Sequence, residues 1–77
     1  GEYYYHELIG LQVESDKGEN LGMLTKILET GANDVYIVHP DEGPEILLPA
    51  IASVILEIDL EQGRMLVHIL PGLIPGR

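Results

Sequence analysis

Short apolar runs separated by turn residues set the rhythm of this chain. Gly10 to Glu14 places Leu11 and Val13 on one face of an extended strand and Gln12 and Glu14 on the other. In the longer run that follows, Leu21, Met23, Thr25 and Ile27 share a face, opposite Gly22, Leu24, Lys26 and Leu28. Val35 to His39 is short and rich in β-branched residues, which fit a pleated, half-buried surface. Glu45 to Leu48 is apolar on both faces and stops at Pro49, whereas Ala50 to Ser53 keeps no strand pattern and reads as one helical turn. Val54, Leu56, Ile58 and Leu60 then alternate with Ile55, Glu57 and Asp59. Met65, Val67 and Ile69 alternate with Leu66, His68 and Leu70, and Glu61-Gln62-Gly63 joins the two runs as a hairpin.

The turn signals are Asp16-Lys17-Gly18-Glu19, Gly31-Ala32-Asn33-Asp34, Pro40-Asp41-Glu42-Gly43-Pro44 and the hairpin turn. They recur about every ten residues, the spacing of a small barrel or sandwich. The pattern therefore predicts an all-β fold: a twisted antiparallel sheet of five or six strands with one short helical turn, closed or nearly closed into a barrel. Closure protects the edges that short apolar strands otherwise expose. The 77 residues make a single domain, 1–77, because either half would be too small to bury a core. Pro71 to Arg77 reads as a tail whose Leu73 and Ile74 pack on the barrel or on a neighbour. The chain opens on Gly1 rather than methionine, and it is read as a fragment with a cloning remnant at Gly1 and a further domain ahead of it.

Composition sharpens the picture in two ways. The chain contains no Cys, Phe or Trp, so disulfides and thiolate metal sites are excluded and the core is aliphatic, as suits a cytoplasmic protein. The formal net charge is −9, from 13 acidic and 4 basic residues. Nucleic acid is held chiefly through Lys and Arg on phosphates. Here only Lys17, Lys26, Arg64 and Arg77 are present, widely separated, so any RNA contact is at most indirect. An acidic surface favours basic protein partners and is repelled by anionic lipid; the same charge also serves solubility. The longest nearly uncharged run, Ile46 to Leu56, is far shorter than the roughly 20 residues of a membrane span and contains Pro49.

Catalytic chemistry finds little support. Ser15 lies beside a turn and Ser53 in the helical turn, and neither has the surroundings of a nucleophile elbow. No phosphate-cradling glycine motif and no calcium-loop spacing occurs. His6, His39 and His68 lack ligand spacing for zinc and read as ordinary barrel or surface residues, so neither a metal nor a cofactor is expected. Glu57 and Asp59, two apart on a strand, lie about 7 Å from each other by strand rise. They resemble an acid-base pair, but the solvent face of an amphipathic strand explains them more simply. Acidic residues such as Asp41 and Glu42 are ordinary turn formers in a Pro/Gly loop.

Two features point instead to protein binding. Tyr3, Tyr4 and Tyr5 lie together before the first strand, and tyrosine offers interfaces a large rigid contact and a hydroxyl. The same rings also suit a plug at the barrel end. Ile46-Leu47-Leu48 and Met65 to Leu70 are apolar on both faces, which calls for cover from the turn and tail or from a partner.

The ordered set of segments resembles one family. Glu2-Tyr3-Tyr4-Tyr5-His6-Glu7-Leu8-Ile9-Gly10 is similar to the start of the C-terminal domain of the RimM family. Glu29-Thr30-Gly31-Ala32-Asn33-Asp34-Val35, Glu45-Ile46-Leu47-Leu48-Pro49-Ala50, Asp59-Leu60-Glu61-Gln62-Gly63-Arg64 and Leu70-Pro71-Gly72-Leu73 resemble its later segments in order. The resemblance implies a PRC-barrel, and a non-catalytic role in maturation of the bacterial 30S ribosomal subunit and processing of its 16S rRNA. It further implies binding near the subunit head through a basic ribosomal protein, and an N-terminal domain of the same protein. The family's paired tyrosines fall on Tyr3 and Tyr4, while Tyr5 stands where the family commonly has Trp. With Asp41 and Glu42, these three form the expected protein-binding set. The alternative within the same fold is a stand-alone PRC-barrel adaptor of the photosynthetic reaction-centre H-subunit type.

Overall fold

Among the described residues, six strands and one short helix follow each other as α1 (Tyr5–Leu8), β1 (Gln12–Ser15), β2 (Asn20–Leu28), β3 (Val35–His39), β4 (Ile46–Pro49), β5 (Ile55–Asp59) and β6 (Arg64–Val67). The structure, a computed structural model, describes residues 5–70, with Tyr5 described by its backbone alone. The tail, Pro71 to Arg77, and the residues before Tyr5 lie outside the described residues. The strands form one sheet in the order β4-β3-β2-β1-β6-β5. No hydrogen bonds join its edges β4 and β5, so the sheet is not closed by backbone pairing.

Four of the five strand pairs are antiparallel, as the short connections dictate. The exception corrects the wholly antiparallel expectation: β1 and β6 run parallel, with Val13 opposite Met65 and Ser15 opposite Val67. These strands are separated by nearly the whole chain, so no hairpin constrains their direction. Backbone bonds fix the pair at both ends, from Gln12 N to Gly63 O (2.9 Å) and from Asp16 N to Val67 O (2.8 Å).

Inward-facing partners build an aliphatic core. Leu24 lies opposite Val38, Tyr36 opposite Leu48, and Val38 opposite Ile46. Leu24, Val38, Leu48, Met65 and Val67 are fully buried. Strand periodicity fails in β2, where Leu21, Leu24 and Ile27 face inward while Met23 and Thr25 are exposed. Two bulges are the cause. Leu21 is skipped in the register with β1 and Thr25 in that with β3, and each extra residue advances the pleat by one position. A third bulge at Leu56 does the same in β5, turning Ile55 and Ile58 toward the core and leaving Leu56 exposed.

Local structure departs from expectation at two more places. The one helix among the described residues is Tyr5–Leu8, which inserts Leu8 into the core. The expected helical turn at Ala50 to Ser53 is a turn one residue later, closed by Val54 N to Ile51 O (3.0 Å) and Ile55 N to Ile51 O (2.9 Å). Strand β6 ends at Val67; Ile69 and Leu70 continue without strand pairing but still pack on the core.

Tyr36 is the polar-tipped aromatic among the described core residues. Burial, and secondarily the negative charge of Asp34, raise its phenol above the ordinary value of 10.0. The folded state therefore holds this proton more tightly than the unfolded chain does. Stability from this linkage is complete below about pH 10 and falls as pH climbs from there through the raised value. Tyr36→Phe is expected to flatten the alkaline limb of the stability profile and to remove one tyrosine that ionises above its ordinary range from a tyrosinate absorbance titration. An unchanged titration would refute the assignment.

Candidate protein-binding groove

The outer face of the sheet begins as a matter of register. Gln12 of β1 lies opposite Met23 of β2, which lies opposite His39 of β3, so these three side chains form one row across three strands. Beyond His39 the chain enters the Pro40–Glu45 loop, where prolines at 40 and 44 fix φ and limit the loop's freedom. The loop stands beside the row, and between them lies an open groove of about 640 Å³. Leu21, Gly22 and Ile46 complete its floor, and Asn20 closes one side by accepting a hydrogen bond from Gly22 N at its Oδ1 (3.1 Å).

Gly22 is what lets the strands approach there. Its φ is +130°, and a Cβ at this position would run into the carbonyl of His39 and lie 2.7 Å from Pro40 Cα. The strand is thus bent by a bulge whose glycine holds the loop against the sheet.

Of the expected protein-binding residues, Asp41 and Glu42 are exposed on this loop and line the groove. No ion pair among the described residues engages either carboxylate. Among the described residues, no Lys or Arg lines the groove. Tyr3 and Tyr4 lie outside the described residues, and Tyr5 opens α1 with its side chain undescribed. Sequence periodicity missed Met23, His39 and Gln12 as a set. Alternation puts Met23 on the same face as Leu21 and Ile27, whereas the bulge at Leu21 turns it outward, 42% exposed.

The other chemistry weighed from the sequence meets plain structural roles. Asp59 lies opposite Arg64 and accepts from Gln62 N at 3.0 Å, capping the β5–β6 turn. The hollow it shares with Glu57 is about 10 Å³, scarcely a single water. Arg64 also approaches Glu14 at 4.0 Å. Ser15 is buried, and its Oγ accepts from Lys17 N and Glu19 N, both at 3.2 Å, so the hydroxyl organises the β1–β2 turn. His68 Nδ1 lies 2.7 Å from Asp16 Oδ2, tying that same turn to the end of β6. Among the described residues no group of three or more His, Asp or Glu is placed to hold a metal, and no helix is long and apolar enough to cross a membrane.

The RimM PRC barrel domain family matches residues 5–73. The chain belongs to that family. It is 57% identical over 74 residues to the ribosome maturation factor RimM of Syntrophobacter fumaroxidans, covering 96% of this chain and 42% of that protein. It is 43% identical over 74 residues to the RimM of Bacillus cytotoxicus, covering 96% and 43%. Among solved structures, a 16S ribosomal RNA processing protein RimM from Pseudomonas aeruginosa superposes with a TM-score of 0.83 at 42% identity, over 87% of this chain and 43% of that one. The chain thus spans less than half the length of the RimM proteins it matches. The PRC-barrel expected from the segment resemblance is the fold observed, and the RimM reading is favoured over the reaction-centre type.

Proposed function

We propose that this chain is a non-catalytic module of ribosome maturation that docks on a basic ribosomal protein of the 30S subunit head. One observation carries the reading: a member of a family of ribosome maturation factors has 13 acidic against 4 basic residues. A phosphate backbone repels such a domain, and a cationic ribosomal protein attracts it. Contact with rRNA is then indirect, and the domain supports 16S rRNA processing by holding its protein partner in place. Tyr3, Tyr4 and Tyr5 anchor the contact, and Asp41 and Glu42 steer it. The module acts in the cytoplasm beside an N-terminal domain of the same protein, without metal or cofactor.

The test is a titration of the ¹⁵N-labelled chain with purified basic proteins of the subunit head at low and moderate salt. Binding is expected at low salt and should weaken as salt screens the charges. The Tyr3→Ala/Tyr4→Ala double variant should keep its fold yet bind roughly tenfold or more weakly, since tyrosine anchors carry a large share of interface energy. Amide resonances that stay unmoved with every head protein would end the proposal.

A further inference from the structure

We infer that the groove between the Gln12–Met23–His39 row and the Pro40–Glu45 loop seats an extended, arginine- or lysine-bearing segment of a basic protein. The inference deepens the reading above and rests on it, because it assigns the basic partner a specific seat on this domain. Three observations support that seat. The groove, about 640 Å³, falls within the range of about 300–1,000 Å³ that suits a ligand of several groups and exceeds what one side chain fills. Its floor carries Met23, 42% exposed among polar outer-face neighbours, with Pro40 and Pro44 beside it. A flexible thioether flanked by rigid prolines suits the aliphatic stem of a long cationic side chain.

The charge at the rim is of one sign. Among the described residues, Asp41 and Glu42 line the groove without ion-pair partners and no Lys or Arg lines it. A cationic head group reaching past Met23 meets these carboxylates. The same field disfavours two other occupants. A second copy of this chain would bring another net charge of −9 against the first, and an RNA strand would bring phosphates to a rim whose described residues include no Lys or Arg.

The experiment uses a capped octapeptide of alternating Arg and Ala, with the neutral citrulline–alanine peptide as control. At low salt the Arg peptide should move the amides of Gly22, Met23, His39, Asp41 and Glu42, and the citrulline peptide should leave them in place. Asp41→Asn/Glu42→Gln should weaken binding roughly fivefold, the scale expected when two exposed charges are removed. Met23→Ala should weaken it a few-fold without changing charge. Glu57→Gln/Glu61→Gln removes two charges outside the groove lining and should change binding by less than twofold. Equal losses from both charge pairs would reduce the effect to net charge and overturn the seat. Movement of the same amides by polyuridylate RNA would overturn it as well. If a head protein binds but moves resonances elsewhere, the seat fails while the partner reading stands. If no head protein moves any resonance, both fail.

Discussion

Gly22→Ala is expected to destabilise the domain by about 2–6 kcal/mol, a large part of what a chain of this size has. Natural domains carry roughly 0.05–0.15 kcal/mol per residue, which places this one at about 4–12 kcal/mol. Two costs add at Gly22. Its φ of +130° lies where an L side chain is strained, worth about 1–3 kcal/mol. Its Cβ would also meet backbone atoms, the His39 carbonyl and Pro40 Cα, which cannot rotate away as a side chain end does. Forcing atoms into such a contact typically costs a further 1–3 kcal/mol or so. Gly31→Ala is the control: φ is +84° but nothing lies within 4 Å of the added Cβ, so only the backbone cost of about 1–2 kcal/mol applies. Urea unfolding of both variants separates the two terms. Equal losses would mean that the close approach of β2 to the start of the β3–β4 loop is not as described.

How much of this was legible before the structure depends on the range of the interaction involved. Val35 to His39 is short, rich in β-branched residues and flanked by turn residues, so β3 matches its sequence reading residue for residue. The β5–β6 hairpin was likewise visible from its turn, which Asp59 caps locally. β2 was misread because periodicity assumes an unbroken pleat, and two bulges shift it by a residue each. The warning was present as a glycine inside an apolar run, the usual mark of a bulge or of close backbone approach. Helix α1 is four residues long, too short for any helical period to show. The Asp16–His68 contact joins residues 52 apart, and the parallel β1–β6 pairing spans a similar distance; no local pattern reports either. The candidate groove divides along the same line. Asp41 and Glu42 were visible as acidic turn residues, whereas the row of Gln12, Met23 and His39 exists only through cross-strand register.

Leu24→Ala should cost about 2–5 kcal/mol, whereas Met23→Ala, one residue earlier, should cost well under 1 kcal/mol. Simple alternation along β2 predicts the reverse, with Met23 in the core and Leu24 outside, so the pair tests the bulged register directly. Leu24 is fully buried opposite Val38, and its backbone bonds Leu11 O through its N–H (2.9 Å) and Gly10 N through its carbonyl (2.8 Å). The surrounding strands are held on both sides, so the space left by truncation closes only partly, and a cavity term adds to the lost transfer energy. Met23 is 42% exposed and leaves no cavity behind. Thermal or urea unfolding of the two variants should therefore differ by a few kcal/mol, and a larger loss for Met23→Ala would refute the register. The same residue separates folding from binding: Met23→Ala should leave stability nearly unchanged while weakening capture of the cationic peptide. A single substitution on the outer row then acts on the groove alone, because the bulge at Leu21 has turned that side chain away from the core.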